Sequence, residues 1–388
     1  MWRPTLTILQ KVVLPSLKEN VNLSKLFFST KSRLPKSTSK LTLVSASIGV
    51  LIGAGYGGYT HYKVNVKKTF IPVENEEYTF LKEAPEYGSQ YRIINDADTS
   101  DLQLTLFQYR TCPFCCKVRA FLDARGISYE IVEVDAVLRQ AIKWSRYKKV
   151  PIMLAKVDGG YQQLLDSTAI ISVLETYLKD KSSDLKDIIK FYPVTKYVNE
   201  KGNDTTDIAN KYFIMHNAQV TDEKEKVAEI EEREWRQWAD RVLVNTLSPN
   251  VYRTPGEALE TFQWFEEAGS WRQFFPGWEC TLMVYIGAAA MYMISKKLKT
   301  RHKIKDDARE SLYDAVNDWL AAIKKKGTPF HGGDKPNLAD ITVYGVLSSI
   351  EGCTAFQDLK VNTDIEKWYY DIKNTIQKRM GKVIAVHA

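Results

Sequence analysis

The sequence predicts an α/β domain followed by an all-α domain, with a membrane anchor ahead of both. Three observations support this prediction. Residues 41–62 carry no Asp, Glu, Lys or Arg; strand and helix patterns alternate around a Cys-Pro-Phe-Cys motif at 112–115; and helical patterns dominate residues 223–388. A chain of 388 residues, 44% of them hydrophobic, is long enough for two folded domains plus extensions.

The basic charge of the chain is concentrated at its N-terminus. The formal net charge is +7, but residues 1–68 hold eleven Lys and Arg against one acid, Glu19, whereas the remainder holds 43 basic and 46 acidic residues. The body of the protein is therefore slightly acidic and lacks the basic bias that is typical of nucleic-acid-binding proteins. We expect no nucleic-acid partner.

The N-terminus predicts a targeting segment and a single membrane-spanning helix. Residues 1–40 combine eight Lys and Arg with many Ser, Thr and Leu, which resembles a mitochondrial presequence. The uncharged stretch 41–62 follows, and at ~1.5 Å per helical residue it spans a hydrocarbon core of ~30 Å. Small residues recur at every fourth position within it, a ridge that favours close approach of a second helix. Residues 63–100 are predicted as a linker.

The compartment stays open between two alternatives. The positive-inside rule compares eight basic residues before the span with three after it, and it places the N-terminus on the cytosolic or matrix side. Free thiols argue the reverse for a secretory-pathway membrane. The sequence is compatible with a Golgi or endomembrane protein whose catalytic domain faces the cytosol, or with a mitochondrial protein. Cleavage of the N-terminus would release a soluble form.

The five cysteines indicate free thiols. An odd count with three clustered residues is a poor disulfide framework for a chain of this length. A single CxxC provides two metal ligands, and the sequence has no second Cys or His pair at suitable spacing. We therefore expect neither disulfides nor a metal site. The cysteines are Cys112, Cys115, Cys116, Cys280 and Cys353.

Around the CxxC motif the pattern predicts a compact domain over residues 101–180. Alternating apolar residues mark a half-buried strand before the motif. Gly126 ends the following helix as a left-handed cap, and Asp158-Gly159-Gly160 predicts a hairpin turn. The predicted strands are 102–108, 129–134, 151–155 and 161–165; one helix runs from the motif to residue 125, and others cover 138–145 and 168–178.

Cys112 is the predicted reactive thiol of this domain. It lies where a helix begins, and the unpaired N–H groups and positive dipole end of a helix stabilise a thiolate. Pro113 suits the first helical turn because its missing N–H would be unpaired there. Cys115 lies one turn deeper and is the candidate resolving thiol, whereas Cys116 faces a different side of the helix and is expected in the core.

Two further positions are suited to hold a peptide or glutathione beside Cys112. We expect a cis bond between Val150 and Pro151, which would leave the Val150 backbone free to pair, strand-like, with such a ligand. Asp166 and Ser167 begin a helix, where N–H groups and a hydroxyl suit a carboxylate such as that of the γ-glutamyl group.

The remainder of the chain predicts an insertion and then the all-α domain. Residues 181–222 are polar and irregular, and we interpret them as a linker or insertion. The apolar run 281–295 is short for a membrane span, so a buried core helix is expected, with peripheral membrane contact as the alternative. Asn337, with Asp340 three residues later, predicts a capping box. Further helices are predicted over 223–247 and 306–325.

Together these features resemble the glutathione-transferase superfamily, in which a thioredoxin- or glutaredoxin-like domain precedes an all-α domain. Asn337 takes the place of the Ser or Thr that opens the central helix of that all-α domain, a substitution that still caps well. Within the superfamily the chain is similar to the membrane-associated prostaglandin E synthases of type 2. The similarity covers roughly residues 100–380 and the basic, anchor-bearing N-terminus, and its carrying residues are 107–119, 147–151, Asp166-Ser167 and 287–292.

This resemblance implies an isomerase that converts the lipid endoperoxide prostaglandin H2 into prostaglandin E2. It also implies bound glutathione, haem associated with the glutathione thiol, and a homodimer. At matching positions it makes Cys112 the catalytic thiol and Tyr109 its hydrogen-bonding partner. It assigns glutathione binding to Val150, Pro151, Asp166 and Ser167, and we expect Phe107 and Phe114 to wall the substrate pocket.

Two other functions stay open. Retention of both Cys112 and Cys115 also suits a membrane-tethered, glutaredoxin-like thiol–disulfide oxidoreductase, in which Cys112 attacks a mixed disulfide and Cys115 resolves it. A noncatalytic membrane adaptor that binds glutathione and haem would need the pocket without an active thiol. Turnover that requires Cys115 would favour the oxidoreductase, and isomerase activity that survives Cys115→Ser would oppose it.

Overall fold

The structure, a computed structural model, describes residues 80–198, 204–215 and 222–386. The predicted targeting segment 1–40 and the predicted anchor 41–62 lie outside these ranges. Within them an α/β part comes first and a helical part follows, as the sequence predicts.

The α/β part is built on one mixed sheet. Its central strands are β3 and β4, which are parallel and are joined by the helix that begins at the CxxC motif. The strands and α-helices in chain order are β1 (Phe80–Leu81), β2 (Tyr91–Ile94), β3 (Leu104–Gln108), α1 (Pro113–Arg125), β4 (Tyr129–Glu133), β5 (Ile152–Val157), β6 (Gly160–Leu165), α2 (Ser167–Lys179), α3 (Leu185–Ile188), β7 (Val194–Val198) and β8 (Asp204–Ile208). Where the sequence predicts helix 138–145, only a short 3-10 helix forms, Gln140–Ile142, and a second 3-10 helix, Ile189–Phe191, follows α3.

The helical part packs against the sheet domain through α1. The predicted helix 306–325 forms over Ala308–Lys326, and the helix that follows the predicted capping box forms over Leu338–Ser348. The elements are α4 (Glu223–Trp238), a π-helical segment (Ala239–Leu243), α5 (Val244–Val251), α6 (Pro255–Ala268), α7 (Trp271–Phe274), α8 (Gly277–Arg301), α9 (Ala308–Lys326), α10 (Leu338–Ser348), α11 (Thr354–Asn362), α12 (Ile365–Gln377) and a final strand, β9 (Lys382–Ala385).

The seven strands of the sheet follow the order β1-β6-β5-β3-β4-β2-β9. Strands β6, β5, β3 and β4 form the thioredoxin-like centre that the sequence predicts. The two flanks of the sheet differ from the prediction. Residues 80–100, which are predicted as a linker, form β1 and β2. Strand β9, which follows the helices of the helical part, also pairs in this sheet. Strand β9 pairs antiparallel with β2, from Tyr91 opposite Ala385 to Ile94 opposite Lys382.

The strand register brings three predicted site segments to one end of the sheet. Phe107 in β3 lies opposite Ile152 at the start of β5, and Ile152 lies opposite Leu165 at the end of β6. The chain therefore leaves β3 towards Cys112, enters β5 from Pro151, and leaves β6 towards Asp166 at the same edge. Neighbouring strands are ~4.8 Å apart, so Asp166 lies roughly 10 Å across the sheet from the end of β3.

A buried ion pair joins the two parts. Lys117, on α1, is 1% exposed, and its ammonium group pairs with the Asp240 carboxylate in the π-helical segment. Asp240 also accepts hydrogen bonds from the hydroxyls of Thr168 at 2.6 Å and Tyr212 at 3.0 Å. Burial raises the pKa of Asp240, but Lys117 and these donors outweigh burial and hold the pKa below its usual value.

Two helices of the helical part illustrate a confirmed and a corrected prediction. Asn337 and Asp340 form the predicted capping box at the start of α10. The predicted core helix 281–295 is instead the longer α8, and an apolar stripe on it faces outwards, with Tyr285, Ile286 and Met293 each more than half exposed. By length and composition, α8 is the one helix of the described ranges that could cross a membrane.

The predicted insertion 181–222 has regular structure in its described residues. It contains α3 and the antiparallel hairpin β7–β8. Residues 209–215 then lie on α2, where the Ser172 hydroxyl donates to the Lys211 carbonyl oxygen at 2.6 Å. The insertion therefore covers the sheet domain close to the end of β6.

Candidate active site

The candidate active site begins with Cys112, which lies between β3 and α1. Cys112 is the N-cap residue of α1, and Pro113 occupies the first helical turn, as predicted. The Cys112 N–H donates to the Tyr109 carbonyl at 3.0 Å, and the Cys116 N–H donates to the Cys112 carbonyl at 2.9 Å. These bonds fix the backbone of Cys112 while its side chain stays partly exposed.

The two thiols of the motif have opposite electrostatic surroundings. The pKa of Cys112 is lowered because the Cys115 thiol donates a hydrogen bond to it; burial opposes this effect, whereas the N–H groups of Cys115 and Phe114 and the charge of Arg119 support it. Cys115 is wholly buried, and burial raises its pKa well above the usual value. Cys112 is therefore the more acidic of the two thiols, and the protonated Cys115 thiol stabilises its thiolate form.

Arg119 supports the motif from one turn further along α1. Its guanidinium donates to the Gln108 side-chain oxygen at 2.6 Å and to the Arg110 carbonyl at 2.8 Å, and it lies 3.2 Å from the Cys116 sulfur. Sequence reasoning missed this residue. The sequence could have indicated its role, because Arg119 follows Cys115 by four positions and residues four apart lie on the same face of a helix.

Val150-Pro151 and Asp166-Ser167 adjoin β5 and β6 at the end of the sheet from which the chain runs to Cys112, and none of the four residues lines the cavity described below. The Val150–Pro151 bond is cis, which confirms that prediction. Asp166 is the N-cap of α2 and accepts hydrogen bonds from the N–H groups of Thr168 at 2.9 Å and Ala169 at 3.3 Å. Ser167 is buried as the first residue of the helix.

A cavity of about 390 Å³ opens next to Cys112, between the sheet domain and the helical part. Tyr109, Cys112 and Phe114 form its wall on the side of the motif. The opposite wall is apolar and aromatic, and sequence reasoning missed it, because its residues come from helices far along the chain. Among them are Leu247, Val251, Phe262, Phe265, Met283 and Met291.

Two tyrosines lie near the thiol. Tyr109 lines the cavity, and burial raises its pKa to about 12, so that the phenol keeps its proton at neutral pH. Tyr147 is buried, and its pKa is raised by burial and by the negative charges of Asp166, Cys112 and Cys115. These influences locate Tyr147 within electrostatic reach of both Asp166 and the thiols.

Phe107 lies elsewhere than expected. It is wholly buried and is absent from the cavity wall, whereas Phe114 is present. The Phe107 ring packs edge-on against Tyr87 and Trp144, with centroid distances of 5.1 and 5.2 Å. Because its ring is buried among these side chains and does not reach the cavity, we assign Phe107 to the core and not to a substrate pocket.

The sequence of this chain is similar to those of known proteins. Residues 106–180 match the family model described as the glutathione S-transferase N-terminal domain. Prostaglandin E synthase 2 of Mus musculus is 48% identical over 287 residues, which are 72% of this chain and 72% of the mouse protein. Prostaglandin E synthase 2 of Danio rerio is 44% identical over 329 residues, 84% of this chain and 80% of the fish protein.

Among solved structures, glutathione transferase F7 from Populus trichocarpa is similar with a TM-score of 0.39 and 13% sequence identity. The similarity covers 71% of this chain and 97% of the poplar chain.

Proposed function

This chain belongs to the prostaglandin E synthase 2 family, and on that premise we propose that it isomerises prostaglandin H2 to prostaglandin E2 with Cys112 as the catalytic thiol. The enzyme is an isomerase. The observation that supports the site most directly is a cysteine with a lowered pKa at the wall of an apolar cavity, next to a protonated tyrosine.

The cavity suits a lipid endoperoxide. Its apolar wall would take the hydrocarbon chains of the substrate, since apolar surface buried from water contributes ~25 cal/mol per Å². Its volume of about 390 Å³ lies within the range of small-molecule pockets. Tyr109 and Cys112 are polar groups on the motif side, where they would meet the endoperoxide oxygens.

The chemistry needs one nucleophile and one proton carrier. Attack of the Cys112 thiolate on the oxygen at C9 forms an S–O bond and breaks the O–O bond, and the oxygen at C11 leaves as an alkoxide. The Tyr109 phenol donates its proton to that alkoxide, which gives the 11-hydroxyl group. The tyrosinate then removes the C9 proton; the C9 carbonyl forms, the S–O bond breaks, and both groups are regenerated. The substrate is isomerised without net redox change.

We propose that glutathione binds beside Cys112. The strand-like backbone of Val150 and Pro151 would pair with its cysteinyl unit, and Asp166 and Ser167 would hold its γ-glutamyl end. The shared sheet edge of these segments supports this assignment, because it aligns them with the thiol. Bound in this way, glutathione would place its own thiol next to Cys112.

Haem is the second cofactor that the resemblance implies. The aromatic residues Phe262, Phe265 and Trp271 of the cavity are suited to a porphyrin, and a thiolate is among the ligands that haem iron accepts. The glutathione thiol would be that ligand. When bound, haem supplies an iron centre for oxygen ligands. The residues 80–198, 204–215 and 222–386 contain no cluster of three His, Cys, Asp or Glu side chains suited to hold a bare metal ion.

Membrane attachment through residues 41–62 and assembly as a homodimer stay predictions. Attachment would suit the proposed substrate, because a lipid endoperoxide partitions into bilayers. Fractionation of the full chain without detergent tests membrane attachment, which expects the chain in the membrane fraction. Its molecular mass in solution tests the homodimer, which expects twice the mass of one chain.

A glutaredoxin-like activity is the second candidate, and one observation favours it. A nucleophilic Cys112 with a lowered pKa beside a buried, protonated Cys115 is the asymmetry that disulfide exchange requires. In that reaction Cys112 forms a mixed disulfide with glutathione, and Cys115 resolves it.

Both candidates are tested with four forms of the full chain: wild type, Cys112→Ser, Cys115→Ser and Cys280→Ser. Cys280 is the matched control, since it is a buried thiol outside the motif whose contact with the Phe275 carbonyl a hydroxyl can keep. We measure prostaglandin E2 formed from prostaglandin H2 with glutathione present, and glutathione-dependent disulfide reduction.

The isomerase proposal expects prostaglandin E2 formation that is lost in Cys112→Ser and kept in Cys115→Ser and Cys280→Ser. Disulfide reduction without isomerisation, lost in both motif variants, would instead establish the oxidoreductase. A wild-type protein that binds glutathione but shows neither activity would be a noncatalytic adaptor.

A further inference from the structure

Lys211 lies against Asp166, the residue that caps α2. Its ammonium nitrogen is 3.3 Å from Asp166 Oδ2 and 2.5 Å from Asp207 Oδ1. The other oxygen of Asp166, Oδ1, accepts the capping hydrogen bonds of Thr168 and Ala169. The Lys211 side chain is 17% exposed and that of Asp166 25%, so both charges still reach solvent.

The backbone around Lys211 is fixed on α2 by buried donors. The Ser172 hydroxyl donates to the Lys211 carbonyl at 2.6 Å. Arg236, which is 1% exposed, donates to the Tyr212 carbonyl at 3.1 Å and to the Ser172 hydroxyl at 2.7 Å. The insertion therefore holds the base of the Lys211 side chain in place next to the end of β6.

The Lys211–Asp166 pair belongs to the same end of the sheet as the catalytic thiol. Asp166 directly follows β6, two strands away from β3, which corresponds to roughly 10 Å. A tripeptide that has its thiol at Cys112 is long enough to reach the pair with its far end.

We propose that Lys211 and Asp166 together recognise the amino-acid head of the γ-glutamyl group, with Lys211 binding its α-carboxylate and Asp166 its α-ammonium. This inference rests on the proposed binding of glutathione beside Cys112. A zwitterionic head presents two opposite charges on one carbon, and the protein presents the opposite charges side by side. Lys211 thus adds to the site a residue from an insertion that lies outside the thioredoxin-like centre.

Asp207 completes the arrangement. When Asp166 turns to the ligand ammonium, Asp207 still holds the Lys211 side chain, since its contact with the ammonium nitrogen is the shorter one. Burial lowers the pKa of Lys211, but Asp166 and Asp207 outweigh it, so that the pKa is raised and Lys211 stays charged at neutral pH.

The test measures binding to the full chain by calorimetry, with three ligands. They are glutathione, its analogue with the γ-glutamyl α-carboxylate converted to a carboxamide, and its analogue without the α-amino group. The protein forms are wild type, Lys211→Met and the control Lys190→Met. Lys190 is an exposed lysine of the same insertion that pairs with Asp187.

We expect wild type and Lys190→Met to bind glutathione roughly tenfold more tightly than either analogue. Each analogue lacks one charge-assisted hydrogen bond, and the loss of one such bond weakens binding by about that factor. Lys211→Met should lose that factor for glutathione and bind the carboxamide analogue no more weakly than wild type does. It should still discriminate against the analogue without the amino group, because Asp166 is retained.

Two results would overturn the inference while leaving the glutathione site in place. One is equal affinity of wild type for glutathione and the carboxamide analogue, a comparison that needs no variant to fold. The other is a Lys211→Met protein that keeps the wild-type preference for the carboxylate. Wild type that binds none of the three ligands would refute the proposed glutathione site itself.

Discussion

Replacing Lys117 by Met removes the only cation that contacts Asp240 among the described residues, and we expect it to destabilise the fold strongly. The Asp240 carboxylate would keep the hydroxyl donors Thr168 and Tyr212. It would nevertheless remain a charge that is only 14% exposed. A buried charge without its partner costs several kcal/mol, because its hydration is not replaced.

The expected loss is about 3 kcal/mol of the free energy of unfolding at neutral pH, the lower end of the range of about 3–5 kcal/mol for a broken buried pair. The lower end applies because Asp240 retains two hydrogen bonds and some solvent. In the wild type the pKa of Asp240 is lowered, so this stabilisation is present above its unfolded pKa of about 3.9 and is lost as the pH falls through the folded value. In Lys117→Met we expect burial to dominate and to raise the pKa of Asp240. The carboxylate of the variant would then take up a proton at a higher pH than that of the wild type. The difference in unfolding free energy between wild type and variant should therefore become smaller towards about pH 5.

The assay is urea unfolding followed by tryptophan fluorescence at neutral pH and at about pH 5, with Lys190→Met as the control for an exposed ion pair. Addition of Asp240→Asn to Lys117→Met should recover about 1–2 kcal/mol, since the uncompensated charge is gone. A neutral-pH loss below about 1 kcal/mol, the value of an exposed pair, would refute the reasoning. A deficit that does not change with pH would refute the role given to Asp240.

Three further predictions concern packing, capping and reactivity. Gly345→Ala should cost about 1–3 kcal/mol in thermal unfolding, because its Cβ would lie 2.6 Å from the Lys117 Cα, whereas Gly277→Ala, in open space, should be neutral. Asp340→Ala should cost about 2–4 kcal/mol, because the carboxylate accepts from three backbone N–H groups. Iodoacetamide should modify Cys112 first at neutral pH and spare the buried Cys115, with a rate that falls at acid pH as the Cys112 thiolate is protonated.

Each of these predictions has a contrary result. Equal melting temperatures for the two glycine variants would show that α10 and α1 move apart at no cost. A stable Asp340→Ala protein would mean that water satisfies the three N–H groups. Mass-spectrometric detection of label on Cys115 before Cys112 would reverse the order of reactivity.

The parts of the site that could be predicted from the sequence are those with local causes. Cys112 with Pro113 begins a helix, and Asp166 caps the next one, because capping depends on a few neighbouring residues. The capping box of Asn337 and Asp340 is local in the same way.

The missed parts depend on contacts between distant residues. Phe262 and Met291 reach the cavity through the packing of α6 on α8, which no spacing near the motif indicates. The position of Phe107 close to Cys112 in the sequence predicts that it lines the pocket, yet its ring packs against Tyr87 and Trp144 in the core. Lys211 contacts Asp166 across 45 positions of the chain, and it comes from residues 181–222, for which the sequence predicts only a linker or insertion.

The pairing of β9 with β2 has a consequence for synthesis on the ribosome. The helical part lies in the chain between β6 and β9, two strands of one sheet. The sheet therefore cannot be completed until the whole helical part has been synthesised. Until Lys382–Ala385 emerges, the outer edge of β2 presents unpaired backbone groups, the kind of edge that recruits other chains. Termination of the chain between Gln377 and Lys382 would leave all the helices present and the edge of β2 unpaired and prone to aggregation.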